Sequence, residues 1–139
     1  MYDYETEQYD RDKAHLDLLC GQADAMRWSW REWMEEEVVA LGRRGGVLDA
    51  LTTGQEVNRQ VVEDMDAVGR ITKTEMPNAF KRVTERIKEV KAGLYKEDMM
   101  TWQGHLQDCF GAVKDLARQL EEIRGRFDSL WGQNKSEDD

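Results

Sequence analysis

Ten apolar residues near the C-terminal end of the chain follow an unbroken alternation of three- and four-residue steps. This heptad seam consists of Met99, Trp102, Leu106, Cys109, Val113, Leu116, Leu120, Ile123, Phe127 and Leu130. Steps of three and four residues place side chains on one side of an α-helix, so the seam forms a stripe that must be buried against another helix. The pattern therefore predicts a long helix, from about Asp98 to Trp131.

Shorter versions of the same pattern run through the rest of the chain. They predict a first helix from Arg11 to Leu41, a second from Val47 to Arg70, and a third that begins near Met76 and ends at Gly93. The predicted apolar stripes are Leu16, Leu19, Ala23, Met26, Trp30 and Trp33; then Leu51, Val61, Met65 and Val68; then Met76, Phe80, Val83, Ile87, Val90 and Leu94. The glycine-rich stretch 42–46 is predicted to be a loop that ends the first helix, because glycine is common just after a helix C-terminus.

Two connections allow alternatives. Thr74 is suited to cap the third helix with Pro77 in its first turn, but a single kinked helix could also pass through Pro77. Gly93, followed by Leu94, predicts an antiparallel hairpin in which Glu97 or Asp98 caps the last helix, with a continuous rod as the alternative. The predicted fold is therefore all-α, an elongated antiparallel helical bundle or coiled coil of three to four helices with a long C-terminal heptad helix.

The excess of acid is concentrated at the two ends of the chain. The formal net charge is −9, and residues 1–12 hold five acidic residues against one arginine, while residues 135–139 hold three against one lysine. We therefore predict an acidic N-terminal end at 1–10, a single helical domain at 11–132 and a disordered acidic tail at 133–139. Direct binding to nucleic acid is disfavoured because it needs clustered lysine and arginine.

The two cysteines indicate the cellular compartment in which the protein is expected to occur. Cys20 and Cys109 have no dense or paired spacing, which favours a reducing, cytoplasmic or otherwise intracellular location. The sequence begins without a basic region and an apolar run, so no secretory signal is expected. No stretch approaches the ~18 apolar residues of a membrane span, so membrane insertion is not expected.

Residues for catalysis or for holding a metal or cofactor are not evident. His15 and His105 are the only histidines, and neither belongs to a Glu-x-x-His or His-Glu-x-x-His pattern. Cys20 and Cys109 do not form a Cys-x-x-Cys pair, which argues against zinc. We therefore expect no enzymatic activity, no cofactor and no metal.

Two features suggest a surface for a partner. With Met99 at heptad position a, the outer f positions are Gly104, Gly111, Arg118, Gly125 and Gly132. Glycine weakens a helix interior by about 1 kcal/mol relative to alanine but lets another backbone approach closely, so this glycine row could contact another helix of the chain or another subunit. The alternative is that the spacing of these glycines is a coincidence, which the helix tolerates.

Tryptophans give the second feature. Trp28 falls opposite the first stripe and Trp131 lies beside the last seam position, and exposed tryptophans are typical partner anchors. For Trp28, a local contact with Arg27 or Arg31 is the alternative.

These patterns favour a non-enzymatic coiled-coil subunit, adaptor or scaffold of a protein complex. It would assemble with a protein partner, or with itself, through helix–helix packing. The alternative is a small acidic inhibitor that blocks a basic site on an enzyme or a nucleic-acid-binding machine. Salt distinguishes the two, because added salt weakens an electrostatic blocker more steeply than an apolar interface.

Overall fold

The computed structural model describes residues 4–93 and 99–137, and it describes the side chains of residues 7–93 and 100–133. Within those ranges every regular element is helical, so the prediction of an all-α chain is confirmed. Segment A is the single helix α1, Tyr4–Thr52. Segment B consists of α2 (Asn58–Arg70), a π-helical stretch (Ile71–Glu75) and α3 (Met76–Ala92). Segment C consists of α4 (Met99–Asp108) and α5 (Gly111–Glu137).

The three segments contact one another around one apolar core. Segment B runs antiparallel to segment A, because Arg27 bonds to Thr84 near the end of segment B while Gly45 lies against Met65 near its start. Between segments B and C, the bonded pairs Asp64–Arg126 and Arg86–His105 also run in opposite directions. Segment C therefore runs parallel to segment A, as its ion pairs Glu37–Arg124 and Arg44–Asp128 show directly.

Helix α1 does not end at the glycines of 42–46, so the predicted loop is wrong. Gly45 is buried, and a Cβ atom built there would lie 2.7 Å from Met65 Cγ and 3.2 Å from Phe127 Cε2. Glycine at this position lets the other two segments approach the α1 backbone. Continuing the helix also buries Leu48 in the core. The glycine therefore serves close packing rather than termination.

Helix α1 ends instead at Thr52. Gly54 has a φ of 82°, which favours glycine, and turns the chain. The Asn58 side-chain amide donates to the Asp49 carboxylate at 2.8 Å, the Asp49 carbonyl at 3.2 Å and the Thr52 hydroxyl at 3.0 Å. These bonds satisfy a carbonyl group that the helix end leaves without an intrahelical partner. The second helix is therefore shorter than the predicted Val47–Arg70, and Leu51, from its predicted stripe, belongs to α1 and is exposed.

Segment B passes through Pro77 without a break. The alternative of a single helix through Pro77 is therefore correct, and Thr74 is not a cap. The buried residues Val61, Asp64, Val68 and Ile71 are spaced by three and four, whereas the next buried residue, Met76, comes five residues later. The π-helical stretch absorbs the extra residue, and the Met76 N–H donates to the Ile71 carbonyl. Both apolar stripes can then face the same core.

Segment C is not one uninterrupted helix. Residues 109–110 form a turn between α4 and α5, and Phe110 is buried there while the seam residue Cys109 is only half-buried. The other seam residues are buried, except for Leu130, which is half-buried, and Met99, whose side chain lies outside the described residues. Leu94, Glu97 and Asp98 also lie outside them. Gly93 follows α3 with a φ of −88°, and α5 continues to Glu137, beyond the predicted end at Trp131.

Helix α1 buries a slightly different stripe from the predicted one. Leu16 and Ala23 are buried as predicted, Leu19, Trp30 and Trp33 pack against the core as partly buried residues, and Met26 is exposed. The buried stripe is Leu16, Cys20, Ala23, Met34, Val38, Leu41, Gly45, Leu48 and Thr52. From Met34 onward the buried residues lie one position after the predicted stripe, which would have passed through Trp33 and Glu37. The helix thus keeps its apolar side toward the other segments.

An ion pair between a buried aspartate and a partly exposed arginine joins segments B and C, and it was not predicted from the sequence. Asp64 is 4% exposed, and its two carboxylate oxygens accept hydrogen bonds from Arg126 Nε at 2.9 Å and Arg126 Nη2 at 2.8 Å. The Gln60 side-chain amide donates a third bond to Asp64 at 3.1 Å. The bond to Asp64 raises the pKa of the Arg126 guanidinium above its ordinary value.

Two neighbouring glycines should respond oppositely to alanine. Gly45→Ala will lower the free energy of unfolding by about 1–2 kcal/mol, because displacing Met65 and the Phe127 ring outweighs the gain in helix propensity. Gly46→Ala will raise it by about 0.5–1 kcal/mol, because Gly46 is exposed and, apart from its chain neighbours and the backbone of its own helix, no described atom lies within 4 Å of the added Cβ. Urea denaturation followed by circular dichroism checks both values. Equal effects would contradict the close packing at Gly45.

Candidate interaction surfaces

Trp28 projects from α1 with 59% of its surface exposed. Two guanidinium groups lie close to its ring, with Arg27 Cζ 5.3 Å and Arg31 Cζ 5.8 Å from the ring centroid. These distances are in the range of cation–π contacts. The local contact with Arg27 and Arg31 is therefore present, but it leaves most of the indole accessible.

A groove beside Trp28 separates α1 from α3. This Trp28 groove has a volume of about 280 Å³. It is lined by Arg27, Trp28, Arg31 and Glu35 of α1 and by Met76, Pro77, Phe80, Lys81 and Thr84 of α3. Met76 and Phe80 are buried and form an apolar floor, while the charged residues stand at the rim. The arrangement can accept an apolar side chain with polar atoms beside it.

Cations outnumber anions at the rim of the Trp28 groove. Arg27 donates to the Thr84 hydroxyl at 2.8 Å and pairs with Asp24 at 3.2 Å, but its buried Nε has no acceptor among the described residues. Arg31 pairs with Glu35 at 3.0 Å. Within the described part of the chain Lys81 has neither a hydrogen bond nor an ion pair. The rim therefore has unused capacity to bind negative charge.

Trp131 lies in a different environment from Trp28. It is 39% exposed, and Arg44 Cζ lies 5.8 Å from its ring centroid while Arg44 also pairs with Asp128. Arg44 follows Trp28 along α1 by about 24 Å of helix. The two tryptophans that the sequence singled out therefore belong to separate surfaces.

The glycine row faces away from the rest of the chain. At Gly104, Gly111, Gly125 and Gly132, an added Cβ would meet no described atom within 4 Å, apart from the backbone of its own helix and its chain neighbours. Gly111, Gly125 and Gly132 are exposed, and Gly104 is half-buried. Among the described residues no other helix of the chain packs on this row. A contact with another subunit, with tolerated coincidence as its alternative, stays a prediction.

The two cysteines are poorly disposed for reaction. Cys20 is fully buried in the core, and Cys109 is half-buried with its thiol 3.1 Å from the Leu106 carbonyl. Burial raises the pKa of both thiols above the ordinary value for cysteine. A raised pKa leaves little of the reactive thiolate at neutral pH.

This environment predicts the order of alkylation. Iodoacetamide will label both cysteines more slowly than it labels a free thiol, and Cys20 more slowly than Cys109, because Cys20 needs local opening of the core. Both rates will increase as the pH rises toward the raised pKa values, since more thiolate forms. Peptide mass spectrometry at timed intervals measures the rates, and denatured protein serves as the control in which they should converge. Equal rates in the folded protein would contradict the burial of Cys20.

In the part of the chain that the structure describes, no three His, Cys, Asp or Glu residues are grouped so that they could hold a metal ion. None of the described helices combines the length and the apolar composition needed to cross a membrane. No protein-family model, curated protein or solved structure matches this chain.

Sequence reasoning located Trp28 but not the groove around it. The floor and the unpaired cation of the groove come from α3, more than forty residues further along the chain. One signal was present in the sequence: α3 has five basic residues and two acidic ones, in a chain whose net charge is −9. That contrast identifies α3 as the positive element.

Proposed function

We propose that this protein is a non-enzymatic helical-bundle subunit or adaptor, which assembles with other protein chains through helix–helix packing. The bundle is elongated, and its three segments alternate in direction. The observation that carries the proposal is the exposed indole of Trp28 above the apolar floor of the Trp28 groove. A large aromatic side chain in such a position is a typical energetic centre of a protein interface.

The heptad seam is not the partner surface in this proposal. The described seam residues are buried or half-buried against other parts of the same chain, in one core with segments A and B. A partner would therefore bind outside that core, on surfaces that the fold leaves open. The Trp28 groove is one such surface, and the outward glycine row is a second one that another helix could approach closely.

Site-specific crosslinking in the cells from which the protein comes tests the proposal. The photoreactive residue p-benzoylphenylalanine would replace Trp28 in one protein and Asp66, an exposed residue of α2, in a control. We expect a discrete crosslinked species from position 28 and none from position 66. Indistinguishable crosslinking at the two positions, or none at either, would contradict the proposal.

Mass in solution then distinguishes the kind of assembly. A 16.2 kDa species at all concentrations would indicate a different chain as the partner, whereas a mass that rises with concentration would indicate self-association. The salt dependence of the complex separates an adaptor from the acidic inhibitor. A steep loss of affinity with salt that Trp28→Ala does not change would favour the inhibitor.

A further inference from the structure

We propose that the Trp28 groove binds an acidic amphipathic helix of another protein chain. An apolar side chain of that helix would lie against Trp28 and Phe80, and its carboxylates would pair with Arg31 and Lys81. This inference rests on the proposed function and names the chemistry of the partner.

Charge complementarity is the first argument. The groove is lined by three basic residues, Arg27, Arg31 and Lys81, and by one acidic residue, Glu35. It thus has a local excess of positive charge in a chain that is negative as a whole. Such a local excess attracts an acidic partner and disfavours a basic one.

Lys81 and Arg31 at the rim can pair with the carboxylates of a partner without losing strong bonds within the chain. Lys81 has no ion-pair partner among the described residues, so pairing it requires no bond to be broken. Arg31 and Glu35 form an exposed pair one helical turn apart, with half of each side chain accessible. Such exposed pairs contribute little to the stability of a helix, so Arg31 can exchange Glu35 for a carboxylate of the partner.

The dimensions of the groove fit a short helix. Its lining residues span 27–35 in α1 and 76–84 in α3, which corresponds to about 12 Å along each helix, or roughly two turns. Its volume of about 280 Å³ is near the lower end for small-molecule sites and suits inserted side chains better than a ligand. A helix in this groove would contact both α1 and α3.

A nucleic acid is a poorer occupant. Its phosphates would meet Glu35 at the rim and Asp24 beside Arg27, as well as the overall negative charge of the protein. Binding to phosphate backbones depends on releasing counterions at clusters of lysine and arginine, and a single helix with a small excess offers little of this. The acidic helix gains the apolar floor as well as the charge.

The test uses the full chain and a defined peptide. A synthetic helical peptide of about four turns would carry leucines three and four residues apart and glutamates between them, and a twin peptide would carry glutamine instead. The readout is the indole N–H signal of Trp28 in an NMR titration of ¹⁵N-labelled protein, assigned with Trp28→Phe. We expect the glutamate peptide to shift this signal. The glutamine twin should bind at least about tenfold more weakly than the glutamate peptide.

Two charge reversals on α3 provide the matched comparison. Lys81→Glu places a negative charge at the groove, and we expect it to weaken binding of the glutamate peptide at least about tenfold. Lys88→Glu makes the same change at an exposed position that does not line the groove, and we expect it to change binding about twofold or less. Circular dichroism of both variants verifies that they remain folded.

Several outcomes would overturn the inference. These are equal binding of the two peptides, equal effects of the two reversals, no binding at millimolar peptide, or a Trp28 shift produced by a single-stranded oligonucleotide but not by the glutamate peptide. A crosslink from position 28 together with any of these results would leave the subunit proposal standing and reject only the acidic partner. Loss of the crosslink as well would reject both.

Discussion

Replacing Leu120 with alanine will lower the free energy of unfolding by about 2–5 kcal/mol, the range for truncating a fully buried leucine. Leu120 lies in α5 on the heptad seam and is 0% exposed. The cost combines the lost transfer free energy with the cavity left between segments that cannot fully collapse. A typical domain has about 5–15 kcal/mol of stability in total, so this one change could remove a large part of it.

Leu18→Ala is the matched control for Leu120→Ala. Leu18 is the same residue type in a helix, but it is 57% exposed, so its truncation should change stability by about 0.5 kcal/mol or less. Urea denaturation of both variants at several protein concentrations gives the comparison. Similar stabilities would mean that the seam is not buried within a single chain, and a midpoint that moves with concentration would indicate burial between copies.

The all-α fold could be predicted because the same spacing repeats many times. Each seam residue adds evidence for one helical face, and packing follows from the need to bury that face. Phe110 shows the limit of the heptad pattern as a predictor of burial. The turn at residues 109–110 lets this aromatic enter the core while the seam residue Cys109 stays half-buried, and a strict heptad cannot anticipate such a turn.

The ends of the helices depend on distant residues and were predicted less well. Glycine ends a helix at some positions and permits close packing at others, and the local sequence around Gly45 does not distinguish these roles. The close approach of Met65 and Phe127 to Gly45 determines that this glycine permits close packing, and both residues belong to other segments. At Pro77, the continuity of the helix depends on the π-helical stretch between Ile71 and Met76, and that stretch depends on the core that both faces share.

Only part of the candidate site could be predicted from the sequence, because the rest of it comes from distant residues. The position of Trp28 opposite its stripe follows from helical geometry within one segment. The floor and Lys81 come from α3, and their place beside Trp28 follows from the antiparallel register of segments A and B. Asp64 was missed because a carboxylate in an amphipathic helix is ordinarily solvated, and its partner Arg126 lies 62 residues away.

The ion pair of Asp64 with Arg126 leads to the second large prediction. Arg126→Met will lower the free energy of unfolding by about 2–4 kcal/mol, because it leaves a buried carboxylate without its charged partner. The value lies toward the lower part of the range for broken buried pairs, since the Arg126 side chain is 44% exposed. Arg124→Met is the control. Arg124 is also about half exposed, and its contacts at 3.9 Å with Glu37 and 4.0 Å with Asp128 are long, so its loss should cost about 1 kcal/mol or less.

A double variant shows whether the unpaired carboxylate is the cause. Asp64→Leu combined with Arg126→Met should recover most of the loss, because an apolar pair of similar size has no charge to desolvate. No recovery in the double variant would mean that Arg126 stabilises the protein by packing its side chain rather than by neutralising Asp64.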